Sequence, residues 1–238
     1  MYYIMIFLLF CQFTYAQDLN QSLNDLNRGI TQAGKIDIKA NCGICQTGET
    51  KNISKIKSPT NNKEIEVSVI SKEKADLIVK ELLRMENIPF DYALDGCFAR
   101  AHKMAHLLDQ KNIITGKAFI QGRLFASTKY GPASWRYHVA PILLVEENGE
   151  KVPYVIDPSL SDKAMKYEDW KNLISGSGKN PRNPKMPGAR VLETFSNRFV
   201  YDLTYANTDP EHFNEADLQA TETELQKYKT IRDQLNNK

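Results

Sequence analysis

The pattern of hydrophobic and polar positions becomes regular near residue 63 and stays regular almost to the C-terminus. Alternating positions in Glu64–Ile70 predict a strand, and Ser71 is expected to cap a helix that continues to about Glu86. A second helix is predicted over Cys97–Gln110, because no Pro or Gly interrupts it. Its apolar stripe consists of Cys97, Phe98, Ala101, Met104, Ala105 and Leu108, and the polar side is predicted to carry Arg100, His102, Lys103, His106 and Asp109.

Apolar runs farther along the chain predict an antiparallel sheet. Lys117–Ala126 has the pattern of a strand, whereas Ser127–Ser134 is expected to be a loop. Trp135–Glu146 and Glu150–Ile156 flank Asn148-Gly149, which favours a tight hairpin turn. Together with the two helices, these strands predict the α+β class.

The C-terminal part is predicted to contain a loop, a strand and a long helix. Ser175–Arg190 is expected to be a long basic loop, and Arg198–Leu203 has the pattern of a last strand. Residues 211–236 predict one long helix with a narrow apolar stripe that suits packing on the domain or on a partner helix. We therefore expect a main domain at residues 63–208 and a C-terminal helix within residues 209–238.

The first 16 residues predict a secretory signal peptide. They contain no charged side chain, and an apolar run at Ile4–Phe10 is followed by Thr14-Tyr15-Ala16. The apolar stretch is too short to span a bilayer, so we expect a secreted or periplasmic protein without membrane association after cleavage. The net charge of +2 gives no support to nucleic-acid binding.

Three cysteines remain if Cys11 leaves with the signal peptide. Cys42 and Cys45 form a C-x-x-C pair that can close as a small disulfide in an oxidising compartment. A redox motif and half of a zinc site are alternative interpretations, although no second pair of ligands is present. The pair lies in a polar segment, residues 17–62, which is an N-terminal arm, a linker or a pro-segment.

Cys97 is then the unpaired thiol, and its position favours a nucleophile. Asp95 is a good N-cap residue, and free N–H groups with the positive end of the helix dipole favour a thiolate in the first turn. A small buried cysteine that fills core space is the alternative.

A histidine and an aspartate are expected to meet on the predicted hairpin. A turn centred on Asn148-Gly149 places residue 140 opposite Asp157, which makes His138 a diagonal neighbour of Asp157 about 7–8 Å away between Cα atoms. His102 and His106 are expected on the polar side of their helix, and His212 lies in a polar terminal stretch. His138 is therefore the histidine that fits nucleophilic acyl transfer with a cysteine.

His102 and His106 have the i, i+4 spacing of two metal ligands, but no acidic residue completes a zinc motif. The sequence therefore predicts neither a metal nor another cofactor.

Several blocks of the sequence resemble the motifs of bacterial protein glutaminases, secreted enzymes that deamidate glutamine side chains in intact proteins. The resemblance runs from about residue 93 to residue 170. Its longest block surrounds Cys97, and the others are Ala126-Ser127-Thr128, Trp135-Arg136-Tyr137-His138-Val139-Ala140, Ile156-Asp157-Pro158-Ser159-Leu160 and Trp170.

The resemblance implies a transglutaminase-like or papain-like core, in which a cysteine-bearing helix packs on an antiparallel sheet. It implies a catalytic triad of Cys97, His138 and Asp157, and substrates that are proteins or peptides with exposed glutamine. Trp135, Ser127 and Tyr137 are candidate substrate-binding residues, with a core role as the alternative for Trp135. A transglutaminase, a thiol protease and a non-catalytic secreted binding module are the competing functions.

Overall fold

A computed structural model describes residues 52–176, 179–180, 183–187 and 190–237, of which residues 179–180 and 183–187 are described by their backbone alone. All of them belong to one compact unit, Gln46–Lys238. The predicted signal peptide and the Cys42–Cys45 pair lie outside the described residues. Within the described residues, every helix is too short or too polar to cross a bilayer.

Nine strands and four α-helices make up the described part of the chain. The strands are β1 Ile53–Lys57, β2 Glu64–Ser71, β3 Gly116–Thr128, β4 Gly131–Glu147, β5 Glu150–Val155, β6 Met165–Lys166, β7 Lys179–Asn180, β8 Asn183–Pro187 and β9 Leu192–Asn197. The helices are α1 Lys72–Leu82, α2 Cys97–Gln110, α3 Tyr167–Ser175 and α4 Glu215–Asn236. A short 3-10 helix spans Leu203–Tyr205.

The main sheet has the strand order β1-β2-β4-β3-β9, and β5 and β6 extend it from β4. The α+β class is as predicted, but the sheet is not wholly antiparallel, because β2 runs parallel to β4. A parallel pair requires a long crossover, which the segment containing α1, α2 and β3 provides. The polar arm predicted to end at residue 62 ends earlier, since β1 pairs with β2 inside the sheet.

The β4–β5 hairpin has the predicted turn and register. Asn148 and Gly149 both have positive φ, 53° and 81°, as a tight two-residue hairpin turn requires. Ile142 pairs with Val155, where β5 ends. The N-terminal half of β4, including His138, therefore pairs with β3 alone within the described part of the chain.

Residues 127–134 are not the predicted loop, because β3 and β4 continue as a long hairpin to the pair Thr128 and Gly131. The Thr128 hydroxyl closes the turn by accepting from Tyr130 N–H at 3.0 Å and donating to the Gly131 carbonyl at 2.8 Å. The segment predicted as a basic loop, residues 175–190, likewise contains the paired strands β7 and β8.

The predicted last strand, Arg198–Leu203, is wrong, and β9 lies just before it. β9 pairs with β3 and ends at Asn197, whose side-chain oxygen accepts from the Phe199 N–H at 3.0 Å. Such an Asx turn bends the chain away from the sheet.

The two faces of the sheet are covered by different helices. Phe119 and Val139 share a buried cluster with residues of α2, whereas the alternate positions Ile120 and Ala140 share another with residues of α3. Helix α4 packs on α2 through the buried side chains of Thr221, Leu225 and Tyr228. The predicted polar side of α2 is incorrect at two positions, because Arg100 and His102 are both buried.

Candidate active site

Helix α2 begins at Cys97, directly after a residue whose backbone conformation only glycine adopts readily. Gly96 has φ 77° and occupies the N-cap position that was predicted for Asp95. Asp95 instead lies one residue earlier, where its Oδ1 accepts from the Gly96 N–H at 2.7 Å. The first N–H groups of α2 have no acceptor within the helix, so they are available next to the Cys97 side chain.

Cys97 is a free, buried cysteine with 4% of its surface exposed. Its side chain belongs to a small apolar cluster that includes Phe119, Val139 and Val200. Phe98, Tyr137 and Leu203 pack against this cluster and remain partly exposed. These three side chains therefore lie between this cluster and solvent.

His138 and Asp157 are in direct contact. Nε2 of His138 lies 2.8 Å from Oδ2 of Asp157, and both side chains are almost completely buried. His138 comes from β4, and Asp157 lies two residues beyond the end of β5, next to Ile156, whose N–H donates to the Pro141 carbonyl at 2.9 Å. The hairpin register thus positions both members of the pair.

The other ring nitrogen of His138 is left for Cys97. Nδ1 is buried and forms no hydrogen bond among the described residues. Burial by itself lowers the pKa of His138, but the charge and hydrogen bond of Asp157, followed by the nearby Cys97 side chain, raise that pKa to about 9. The imidazole therefore interacts with a carboxylate on one side and with the thiol on the other.

Asp157 is held in its ionised form by several donors. Trp170 Nε1 donates to Oδ2 at 2.9 Å, and the Ser159 N–H donates to Oδ1 at 3.2 Å. Burial alone would raise the pKa of Asp157, but His138, Trp170 and Arg100 together lower it. A carboxylate held in this way fixes the tautomer and orientation of the imidazole.

Trp135 connects the histidine to the loop that precedes Cys97. Its ring stacks on His138 with centroids 4.6 Å apart and an interplanar angle of 26°. Its Nε1 donates to the Ala93 carbonyl at 2.8 Å. Trp135 is therefore a wall of the site as well as part of the core.

Arg100 lies beneath the cysteine, one helical turn further along α2. Its Nη1 donates to the carbonyls of Tyr92 and Asp95 at 2.9 and 2.7 Å. Burial lowers the pKa of Arg100, and the nearby charges of Cys97 and Asp157 act in the opposite direction. The guanidinium thus fixes the backbone of the loop before Cys97 and places a positive charge near the site.

The structure separates the remaining predicted substrate-binding residues. Tyr137 borders the Cys97 cluster, and burial followed by the charge of Cys97 raises the pKa of its hydroxyl. Ser127 pairs with Pro132, at a strand position of opposite parity to Trp135, and it is exposed. Ser127 is therefore on the other face of the hairpin, about 10 Å along it from Trp135.

Two contributors to the site were missed in the reasoning from sequence. The sequence predicts no contact for Trp170, although an indole N–H in a short amphipathic helix needs a buried acceptor. Helical periodicity predicts a polar environment for Arg100, although this residue follows the predicted nucleophile by one turn. The same prediction applies to His102, yet its Nδ1 lies 2.7 Å from the buried Lys117 Nζ.

Residues 65–174 match the family model of glutaminases. The similarity to the glutaminase family covers these residues, somewhat less than half of the chain. The matched region contains Cys97, His138, Asp157 and Trp170, so all the contacts described around the imidazole lie within it. Helix α4 and strand β9 lie outside it. A search of proteins with curated functions found no match.

Solved structures of protein-glutaminase share the fold of this chain. A crystal structure of protein-glutaminase is 24% identical, with a TM-score of 0.54, over 68% of this chain and 89% of that protein. The NMR structure of protein-glutaminase from Chryseobacterium proteolyticum is also 24% identical, with a TM-score of 0.56, over 68% and 90%. A crystal structure of pro- protein-glutaminase is 23% identical, with a TM-score of 0.55, over 77% and 62%.

Proposed function

We propose that this protein is a secreted hydrolase that deamidates glutamine side chains in proteins, with Cys97 as nucleophile, His138 as general acid and base, and Asp157 as the orienting carboxylate. The observation that carries this proposal is the buried bond between His138 Nε2 and Asp157 Oδ2, which leaves Nδ1 for the free Cys97. The glutaminase family match over the same residues supports the substrate class.

The first half of the reaction forms a thioester. The Cys97 thiol gives its proton to His138, and the sulfur attacks the carbon of the glutamine carboxamide. The protonated His138 then delivers that proton to the nitrogen as the C–N bond breaks. Ammonia leaves, and the glutamyl group remains bound to the sulfur.

The second half releases glutamate. His138, now neutral, takes a proton from water while the water oxygen attacks the thioester carbon. The C–S bond breaks, the sulfur recovers its proton, and glutamate replaces the original glutamine. The hydrogen bond to Asp157 stabilises the imidazolium that forms in each half.

The oxyanion of each tetrahedral intermediate needs donors that are already in place. Backbone N–H groups at the start of α2, including that of Cys97, are unused by the helix and lie beside the reacting sulfur. We propose that they form the oxyanion hole. Phe98, Tyr137 and Trp135 would then position the glutamine side chain between solvent and the sulfur.

The arrangement of elements supports a core of the transglutaminase type. Helix α2 carries Cys97 on one face of the sheet, while β4 and the end of β5 carry the other two residues. A secretory route, predicted from residues 1–16, belongs to the same proposal.

Intact-mass analysis of a glutamine-containing protein tests the proposed reaction. Incubation with the wild-type enzyme should add about 1 Da per glutamine converted and release one ammonia for each, whereas Cys97→Ala should release none above background. Ammonia release by Cys97→Ala at the wild-type rate would remove the proposal.

The same assay with an added primary amine separates the competing functions. A transglutaminase would give amine adducts, a thiol protease would give shorter chains, and a deamidase would give only the small mass increase. A non-catalytic binding module would change no mass at all, and its Cys97 would react with iodoacetamide no faster than an ordinary thiol.

A further inference from the structure

The loop that precedes Cys97 is held by helix α4, which lies outside the region matched by the glutaminase family model. The contact is made by Tyr228, a residue that is 4% exposed and projects from the middle of α4. Its ring stacks on Tyr92, with centroids 5.3 Å apart and an interplanar angle of 19°.

Tyr228 also touches both residues immediately before the cysteine. A Cβ atom placed on Gly96 would lie 2.6 Å from two carbon atoms of the Tyr228 ring, so the ring rests on the backbone of the N-cap residue. Burial, and then a hydrogen bond from its hydroxyl to Asp95, raise the pKa of Tyr228. Asp95 in turn accepts from the Gly96 N–H at 2.7 Å.

Two ion pairs hold α4 in this position. Arg232 Nη1 lies 3.2 Å from Asp91 Oδ1, at the beginning of the loop. Lys103 of α2 pairs with Glu222 of α4. The helix is therefore fixed on both sides of Tyr228, to the loop and to α2 itself.

Arg100 bonds to the carbonyls of Tyr92 and Asp95 in the same loop. The loop that sets the direction of the first N–H groups of α2 is thus held both by a guanidinium from α2 and by an aromatic ring from α4.

We propose that Tyr228 is a positioning residue for the nucleophile, and that α4 completes the active site by fixing the Tyr92–Gly96 loop. This inference rests on the proposed function for its activity readout. It predicts that loss of the ring allows Gly96 to move, and with it the Cys97 sulfur and the N–H groups beside it. Displacement of a reacting group by about 1 Å can cost on the order of 100-fold in rate.

Two substitutions separate the contributions of the ring and the hydroxyl. Tyr228→Leu retains an apolar side chain but loses the stack and the hydrogen bond, whereas Tyr228→Phe loses only the hydroxyl. Gln226→Ala, at an exposed position of the same helix, is the matched control.

The primary readout is the rate at which iodoacetamide alkylates Cys97 as a function of pH, with the modified peptide identified by mass spectrometry. Thermal unfolding and circular dichroism show whether each variant is folded. A purely structural role would lower the melting temperature but leave the pH midpoint of alkylation unchanged in the folded protein.

In the leucine variant, we expect a shifted pH midpoint and a kcat for ammonia release lower by about 10- to 100-fold, with KM changed by less than about twofold. The phenylalanine variant should lose about threefold in kcat, and Gln226→Ala should match the wild type. A folded leucine variant with wild-type alkylation and kcat would overturn the proposal. If the leucine variant does not fold, wild-type values in Tyr228→Phe would overturn it.

The alkylation readout does not depend on the deamidase activity. If the wild-type protein releases no ammonia, the proposed function fails, yet the effect of Tyr228 on Cys97 is still measured.

Discussion

Nε2 of His138 and Oδ2 of Asp157 are 2.8 Å apart although the two residues are separated by 19 positions in the sequence. The turn at Asn148-Gly149 sets the register of β4 against β5, and the chain leaves the sheet after Val155. Asp157 can therefore turn toward the imidazole, instead of continuing in a ladder. The contact is a consequence of backbone pairing combined with the end of a strand.

Replacement of that carboxylate should lower kcat strongly while leaving the substrate affinity nearly unchanged. Asp157→Asn removes the charge that raises the pKa of His138 and stabilises the imidazolium. We expect kcat to fall by about 1000-fold or more, as for other triads that lose this charge. The alkaline limb of the pH–rate profile, expected near pH 9 in the wild type, should move to lower pH.

Ammonia release measured from pH 5 to 10 checks both expectations. Asp162→Asn, at an exposed position five residues away, is the control and should keep the wild-type profile. A fully active Asp157→Asn enzyme would show that His138 does not need this partner.

Trp170 and His138 contact the same carboxylate oxygen of Asp157. Replacement of Trp170 should lower kcat by less than Asp157→Asn does. Trp170→Phe keeps an aromatic ring in the core but removes the donor to Asp157 Oδ2 at 2.9 Å. With one donor fewer, the pKa of Asp157 should rise and its hold on the imidazole should weaken. We expect kcat to fall by about tenfold, consistent with the loss of one hydrogen bond to a charged group.

Steady-state kinetics with a glutamine-containing protein measure this effect. Tyr130→Phe, at the exposed tip of the β3–β4 hairpin, is the aromatic control. A Trp170→Phe variant as impaired as Asp157→Asn would mean that the ring, and not the hydrogen bond, carries the contribution.

Local sequence signals were sufficient for the elements that position the proposed nucleophile and its histidine. The start of α2 at Cys97 and the pairing across Asn148-Gly149 both depend on neighbouring residues, so a single sequence contains the information. The register predicts that His138 and Asp157 are neighbours, and the end of β5 at Val155 lets the carboxylate turn toward the imidazole. The structure places Ser127 on the other face of the hairpin from Trp135, because its strand continues through the predicted loop.

Contacts between distant segments were not predictable in the same way. Helical periodicity assigns a long cation to the solvent side unless partners are known, and the partners of Arg100 are backbone carbonyls of an irregular loop. The stack of Tyr228 on Tyr92 joins segments more than a hundred residues apart. The early end of β9 depended on one Asx turn at Asn197, which competes with strand propensity.

Stability should depend on pH through His138. Its pKa is raised from 6.5 to about 9, so the folded protein binds this proton more tightly than the unfolded chain does. The resulting stabilisation is fully present below pH 6.5 and is lost as the pH rises through 9. The free energy of unfolding should therefore decrease across this interval.

Urea denaturation at pH 6, 7.5 and 9, compared between the wild type and His138→Gln, isolates the contribution. The difference between the two proteins should shrink as the pH rises, because the variant lacks the titrating group. A difference that stays constant would show that His138 has the same proton affinity in the folded and unfolded states.

The contribution of Lys117 to the free energy of unfolding should have the opposite pH dependence to that of His138. Lys117 is completely buried on β3, where its Nζ contacts His102 Nδ1 and donates to the Val200 carbonyl. Burial lowers the pKa of Lys117 well below 10.5, and the charges of Asp217 and Asp202 compensate only in part. Because the unfolded chain binds this proton at higher pH, the folded protein loses stability as the pH falls below 10.5.

Lys117→Met removes this titration but leaves the Val200 carbonyl without its donor and His102 Nδ1 without its polar partner. Near pH 10 we expect the variant to be less stable than the wild type by about 1–3 kcal/mol, the usual cost of an unsatisfied buried polar group. As the pH falls toward neutrality, the wild type loses stability and the variant does not, so the gap should narrow. Unfolding free energies at pH 7, 8.5 and 10 measure it, with the exposed Lys129→Met as control. A gap that widens toward neutral pH would mean that Lys117 is charged in the folded protein and stabilised there by its surroundings.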